Sequence, residues 1–223
     1  MIYLIKVRFK KWLVTTVIII LVVIAVGIYG LYRLHLLPSR SFTAKDFGIQ
    51  TLKSQTDKNQ NGIDDYKDIL LGARAYVETK PKYNGAYYTG GYPPDGIGVC
   101  TDVIWKAFKN AGYSLKDLVD DDISNNRAAY PEITAPDKNI DFRRVKNLIV
   151  FFKRNAQLLT TNPNKIKEWQ PGDIVIYPNH IAIVSDKRNR NGQPYIIHNN
   201  GLPVYEVDAL TIYKIVGHYR WTK

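Results

Sequence analysis

The chain has 223 residues, 45% of them hydrophobic, and a formal net charge of +11. Seven of the basic residues (Lys6, Arg8, Lys10, Lys11, Arg33, Arg40 and Lys45) and no acid fall in the first 45 positions, so residues 46–223 carry only about +4, interspersed with acids, which argues against nucleic-acid binding. The single cysteine, Cys100, excludes an intramolecular disulfide.

Between Lys11 and Arg33 lies Trp12 to Tyr32, 21 residues without a charge. That is long enough to cross about 30 Å of hydrocarbon as a helix. The basic residues before it place 1–11 in the cytoplasm, 12–32 in the membrane and the remainder outside the cell membrane. An uncleaved anchor is expected over a cleaved signal peptide, because the apolar run exceeds a signal core and no small-x-small site follows it. Residues 33–56, which include His35, read as a polar juxtamembrane stalk. A mildly basic outer domain would favour anionic wall polymers or lipid head groups.

Residues 57–68 have the spacing of a calcium loop. Asp57, Asn59, Asn61, the Ile63 carbonyl, Asp65 and Asp68 set oxygens around a turn made by Gly62. The expectation is one structural calcium ion. Asn59 in place of an acid and Asp68 in place of a longer Glu weaken the site, which suits an extracytoplasmic compartment. The competing reading is a solvated Asn/Asp/Gly turn that caps the next helix.

That helix is predicted over 65–79, with Ile69, Leu70, Ala73, Tyr76 and Val77 on one side. An aromatic loop, Tyr83 to Pro94, follows, with Tyr92 expected to touch substrate. A Pro/Gly-rich lead then opens a helix from Cys100 to about Asn110, whose apolar face is Val103, Ile104, Ala107, Phe108 and Ala111. Residues 112–140 read as loop with a short helix at Leu115 to Ile123, and Asn147 to Leu159 as a further helix. In the final third, Gly172–Tyr177, His180–Ser185, Tyr195–His198 and Gly217–Trp221 are short apolar runs separated by Asn, Gly and Pro. Helices followed by an antiparallel sheet describe an α+β domain over 69–223.

Cys100 falls at a helix start, where unpaired N–H groups and the dipole favour a thiolate. The alternative is a small buried thiol under the helix. His180 opens one predicted strand and His198 closes a later one, so a hairpin would bring both imidazoles to one end of the sheet. A cysteine, a histidine and a second polar residue make a nucleophile, a base and an orienting group. Asn199 or Asn200 could take the third place instead of His198. His218, beside Tyr219 and Trp221, reads as a packed strand residue.

The segments Trp169-Gln170-Pro171-Gly172-Asp173-Ile174-Val175 and His180-Ile181-Ala182-Ile183-Val184-Ser185 resemble the Gly-Asp-Leu-Val…His-Val-Gly-Ile pattern of NlpC-type cell-wall peptidases. Residues 57–221 more closely resemble a bacterial domain of unknown function, number 1287, through Gly98–Val103, Ile140–Val145, Gln170–Val175 and Tyr195–Asn199. The resemblance implies a papain-like fold in which helices pack on a small antiparallel sheet. It also implies a triad of Cys100, His180 and His198. Two departures stand out: Val99 precedes the cysteine where a small polar residue is common, and the insert from 112 to 168 is long. Asp102, in the first helical turn, would raise the thiol pKa and so would fix a loop or contact substrate. Asp141, Arg143 and Arg144 read either as a cluster pairing with Asp102 or Asp173, or as a grip on a substrate carboxylate. Arg143 and Asn199, with Asp102 and Tyr92, complete the expected substrate contacts.

The function this supports is an anchored extracytoplasmic thiol hydrolase acting on peptide or amide bonds of peptidoglycan stem peptides, without an organic cofactor. Acyl transfer on lipids by the same fold and a non-catalytic, calcium-stiffened wall-binding module are the alternatives.

Overall fold

A computed structural model of the chain describes residues 2–33, 40–203 and 205–223. Part of the expected stalk, 34–39 with His35, lies outside the described residues. The chain divides into two compact units, Met1–Ser39 and Arg40–Lys223. In the first, α1 (Ile2–Arg33) contains one stretch, Lys11–Tyr32, long and apolar enough to cross a membrane or to act as a signal sequence.

The second unit is a mixed α+β fold. Four helices, α2 (Asp65–Glu78), α3 (Cys100–Asn110), α4 (Leu115–Asn125) and α5 (Val145–Asn155), bring the α-helices among the described residues to five. A parallel ribbon pairs β1 (Lys82–Tyr83) with β2 (Ile97–Gly98). The main sheet comprises β3 (Gln157–Leu158), β4 (Ile174–Tyr177), β5 (His180–Arg188), β6 (Pro194–Ile197), β7 (Glu206–Val207) and β8 (Gly217–Arg220). Its order is β3-β8-β4-β5-β6-β7, and every pair is antiparallel.

The strands read as continuous apolar runs because both faces of the sheet are covered. Alternate residues serve two cores. Ile174, Ile176, Ile181, Ile183 and Ile197 meet the apolar face of α2 and α3. Val175, Tyr177, Ala182, Val184 and Ile196 close on Trp169, Val207 and Leu210. α2 and α3 pack together, and both reach β5. This contact carries the N-terminus of α3 to the sheet.

The expected stalk is partly folded structure. Phe42 bridges to Arg188, Ala44 and Ile49 are buried, and the Leu52 N–H donates to Gln170 Oε1 at 3.1 Å. Polar composition concealed this because few buried apolar residues suffice when backbone groups make the attachment. At the far side of the sheet Asp173 accepts from Arg220 Nε at 2.7 Å and faces His218 Nε2 at 2.9 Å. His218 also stacks on Trp169 with ring centroids 3.7 Å apart, which makes it the packed strand residue that its neighbours suggested.

Candidate active site

Cys100 is the first residue of α3, and Val99 precedes it in extended conformation. The start is held by Asp102. Its Oδ2 accepts the Val99 N–H at 2.7 Å and its Oδ1 accepts the Trp105 indole N–H at 2.7 Å. Arg143 closes on the same carboxylate, Nε to Oδ1 at 2.8 Å and Nη2 to Oδ2 at 2.9 Å. The side chains are 1% and 0% exposed. Arg143 Nη1 also donates to the Ala86 carbonyl at 3.0 Å, and Thr101 Oγ1 donates to the Arg143 carbonyl at 3.0 Å. One buried ion pair therefore ties the α3 start to the aromatic loop and to the 3-10 turn Asp141–Arg143. Gly98 belongs to this packing, because a Cβ there would stand 2.1 Å from Tyr76 Oη and 3.0 Å from Asp102.

Asp102 and Arg143 were expected to meet substrate. They are instead sealed from solvent and consumed by one another, as the ion-pairing reading of the same residues has it. Arg144 points outward, with its Nε 4.0 Å from Asp141. Tyr92 is 43% exposed, packed on Trp105 and Phe142.

The two expected imidazoles do meet: His180 Nε2 lies 2.7 Å from His198 Nδ1. Asn199 does not join them. It is buried, and its amide donates to the Gly98 and Pro81 carbonyls at 3.0 and 3.2 Å, bracing the β1–β2 ribbon. The Cys100 thiol lies near the backbone N–H of Ile181, the residue after His180. A cleft of about 560 Å³ runs past Asn179, the residue before His180, with Tyr87, Arg144 and Asn147 in its walls.

Burial sets the protonation states. It pushes the Cys100 thiol up to about 11, against the N–H groups of Ile181, Thr101 and Cys100 that pull it down, and with a small push upward from Asp102. Burial also takes His180 down to about 4. The thiolate expected from the helix dipole is disfavoured at rest, because Cys100 is only 5% exposed and desolvation outweighs a partial charge. Both groups are neutral at pH 7.

Two neighbours escaped the sequence reading. Tyr83, on β1, lies close enough to the thiol for the two ionisations to oppose one another. The Tyr213 ring sits 6.3 Å from that of His180. Neither follows a periodic pattern, so only the pairing of β1 with β2 and the folding of the β7–β8 connection bring them in.

The expected calcium ligands converge in part. Asp57 accepts the N–H groups of Asn61 and Gly62, Asn59 and Asn61 turn their amides to Asp68, and their own oxygens accept the N–H groups of Asn61 and Ile63. Asp65 departs: it is buried and accepts from Thr56 Oγ1, Lys58 N and Tyr113 Oη at 2.6, 2.8 and 2.6 Å. Among the described residues no cluster of three or more His, Cys, Asp or Glu side chains is arranged to hold a metal.

A family model described as "Domain of unknown function (DUF1287)" matches residues 70–221. The chain is similar to the "Uncharacterized protein YijF" of Escherichia coli (strain K12), 39% identical over 165 residues, which cover 69% of this chain and 80% of that protein. No solved structure matches the chain.

The buried pair yields a direct prediction. Arg143→Ala should lower stability by about 3–5 kcal/mol, read from the urea midpoint, because it strands the Asp102 carboxylate. The joint replacement Asp102→Leu with Arg143→Met should recover only part of that loss, because it removes the stranded charge but leaves the Val99 N–H and the Trp105 indole N–H without their acceptor. A single-variant loss under about 1 kcal/mol would show that the pair does not anchor the helix.

Proposed function

The chain belongs to the DUF1287 family, and from the geometry of its Cys100 site we propose that it is an extracytoplasmic, membrane-anchored thiol hydrolase of papain-like, NlpC-related type. The substrate proposed is a peptide or amide bond in peptidoglycan stem peptides. The observations that support the reading are the 2.7 Å approach of His180 Nε2 to His198 Nδ1 and a helix-initiating cysteine whose thiol lies near the backbone N–H of Ile181, the residue after His180. The anchor is α1, with the outer domain following it, on the strength of the basic residues before the apolar span.

In this mechanism the two histidines share one proton along their common axis. His180 Nε2–H donates to His198 Nδ1, which leaves His180 Nδ1 as a free lone pair. That lone pair takes the thiol proton as Sγ attacks the scissile carbonyl carbon. The Cys100 N–H, in a first turn without intrahelical acceptors, would meet the developing oxyanion. The C–N bond then breaks, and the leaving amine takes the proton from His180. Water, deprotonated by the same imidazole, hydrolyses the thioester and regenerates the thiol.

The calcium loop remains part of this proposal, with Asp57, Asn59, Asn61, the Ile63 carbonyl and Asp68 as the oxygen donors, Asp65 being committed to Tyr113. The ion would supply a cross-link within the loop. A Kd on the order of 0.1 mM would add about 1.4 kcal/mol at ~1 mM calcium. The melting temperature should therefore rise by a few degrees between EDTA and calcium. An unchanged value would leave the loop as a turn held by its own hydrogen bonds.

Incubation of the protein with purified peptidoglycan, followed by mass spectrometry of the released fragments, tests the reaction. Cys100→Ser and His180→Ala should each lower the rate by at least about a thousandfold, because nucleophile and base act as a unit. His198→Ala should lose less, since an orienting residue is partly replaceable by water. As His180 must be neutral to act, kcat/KM should be level above about pH 5 and fall as pH drops through about 4. Release of the same fragments by the Cys100→Ser protein would refute the reading.

A further inference from the structure

The connection between β7 and β8 presents three large apolar residues within five positions: Ile212 is 47% exposed, Tyr213 49% and Val216 41%. Exposed apolar side chains in a group mark a surface that binds something. This segment is not slack. Leu210 is 1% exposed in the core behind it, and Tyr177 Oη donates to the Leu210 carbonyl at 2.9 Å. The Ile212 N–H donates to the Ala209 carbonyl at 3.1 Å, and the Val216 N–H donates to the Ile176 carbonyl at 2.8 Å. Both ends are thus fastened to β4 and its surroundings, and the outer residues are held in the solvent by the frame beneath them.

The segment also abuts the candidate catalytic pair. The Tyr213 ring lies 5.8 Å from Tyr177, which supports it edge-on, and 6.3 Å from His180. Any group that reacts with Cys100 must come within hydrogen-bond reach of His180. A substituent extending from that group a few ångströms along the sheet end would meet the Tyr213 ring. We propose that Tyr213, with Ile212 and Val216, is a specificity-determining subsite for an aliphatic group flanking the scissile carbonyl. This rests on the thiol-hydrolase reading and extends it, because a purely polar substrate would gain nothing from such a surface.

The test uses the full chain and a pair of thiol reagents that differ only in an apolar tail, iodoacetamide and N-hexyl-iodoacetamide. In both, the S–C bond forms, the C–I bond breaks, iodide leaves and the thiol proton passes to base. Cys100 is the only cysteine in the sequence, so labelling of the Cys100 peptide, read by mass spectrometry, reports on this site alone. Rates are compared at a pH of about 9 in one detergent, so that partition of the tail cancels between proteins. The hexyl reagent should label the unaltered chain at least about tenfold faster than iodoacetamide, as expected if a few methylene groups are buried. Tyr213→Ser and Ile212→Ser should each reduce that ratio at least about threefold. Leu158→Ser, which removes a comparably exposed apolar residue from the edge strand β3, should keep it. A ratio near one in the unaltered chain, or a ratio that survives both substitutions, would overturn the subsite while the hydrolase reading stands. Failure of iodoacetamide to label Cys100 at all would overturn the hydrolase reading and the subsite with it.

Discussion

The Asp102–Arg143 ion pair is the constraint on which the rest of the site depends. Two charges removed from water are costly unless they are paired and hydrogen-bonded, and here they are. The carboxylate accepts four donors, from Val99, Trp105 and Arg143. The guanidinium reaches Ala86 as well. The return is positional. The pair fixes the backbone of Val99 and, through the Thr101–Arg143 contact, the first turn of α3. Cys100 lies between these two clamps, so its thiol has a defined direction against β5.

A second buried carboxylate, Asp173, does similar work at the opposite side of the sheet, where it joins β4 to Arg220 and His218 of β8. Asp102 thus fixes the start of α3, and Asp173 fixes the start of β4 against β8. The histidine pair therefore needs little freedom of its own: His180 leaves β5 where the sheet ends, and His198 follows β6 in the neighbouring strand. Burial then keeps both the thiol and His180 neutral. On the proposed reading, charge in this site would develop only with substrate bound, which differs from a resting thiolate–imidazolium pair.

Much of this was legible in the sequence because it obeys short periods. The apolar stripe Val103, Ile104, Ala107, Phe108 gave α3 with its observed end at Asn110, and the runs around Ile174 and Ile183 gave β4 and β5. The helix over 145–155 begins two residues before the expected start, because the 3-10 turn before it presets the backbone at Arg144. What failed to show was decided by long-range partners. Nothing local says that Asn199 will bond across to Gly98 while His198 turns to His180, or that Asp65 will find Tyr113, 48 positions away. The same holds for residues 40–53, whose attachment runs through backbone groups, and for Tyr213, whose place beside His180 depends on where Leu210 is buried.

The central claim is that His180 is a neutral base oriented by His198. Imidazole nitrogen resonances in a two-bond proton–nitrogen correlation spectrum, followed from about pH 3 to 8, test it most directly. The account predicts a His180 ring protonated at Nε2 and bare at Nδ1, which takes up a second proton only near pH 4. It also predicts that His198→Ala releases that tautomer preference. A His180 that titrates near its ordinary value of about 6.5, or that carries its proton on Nδ1, would contradict it.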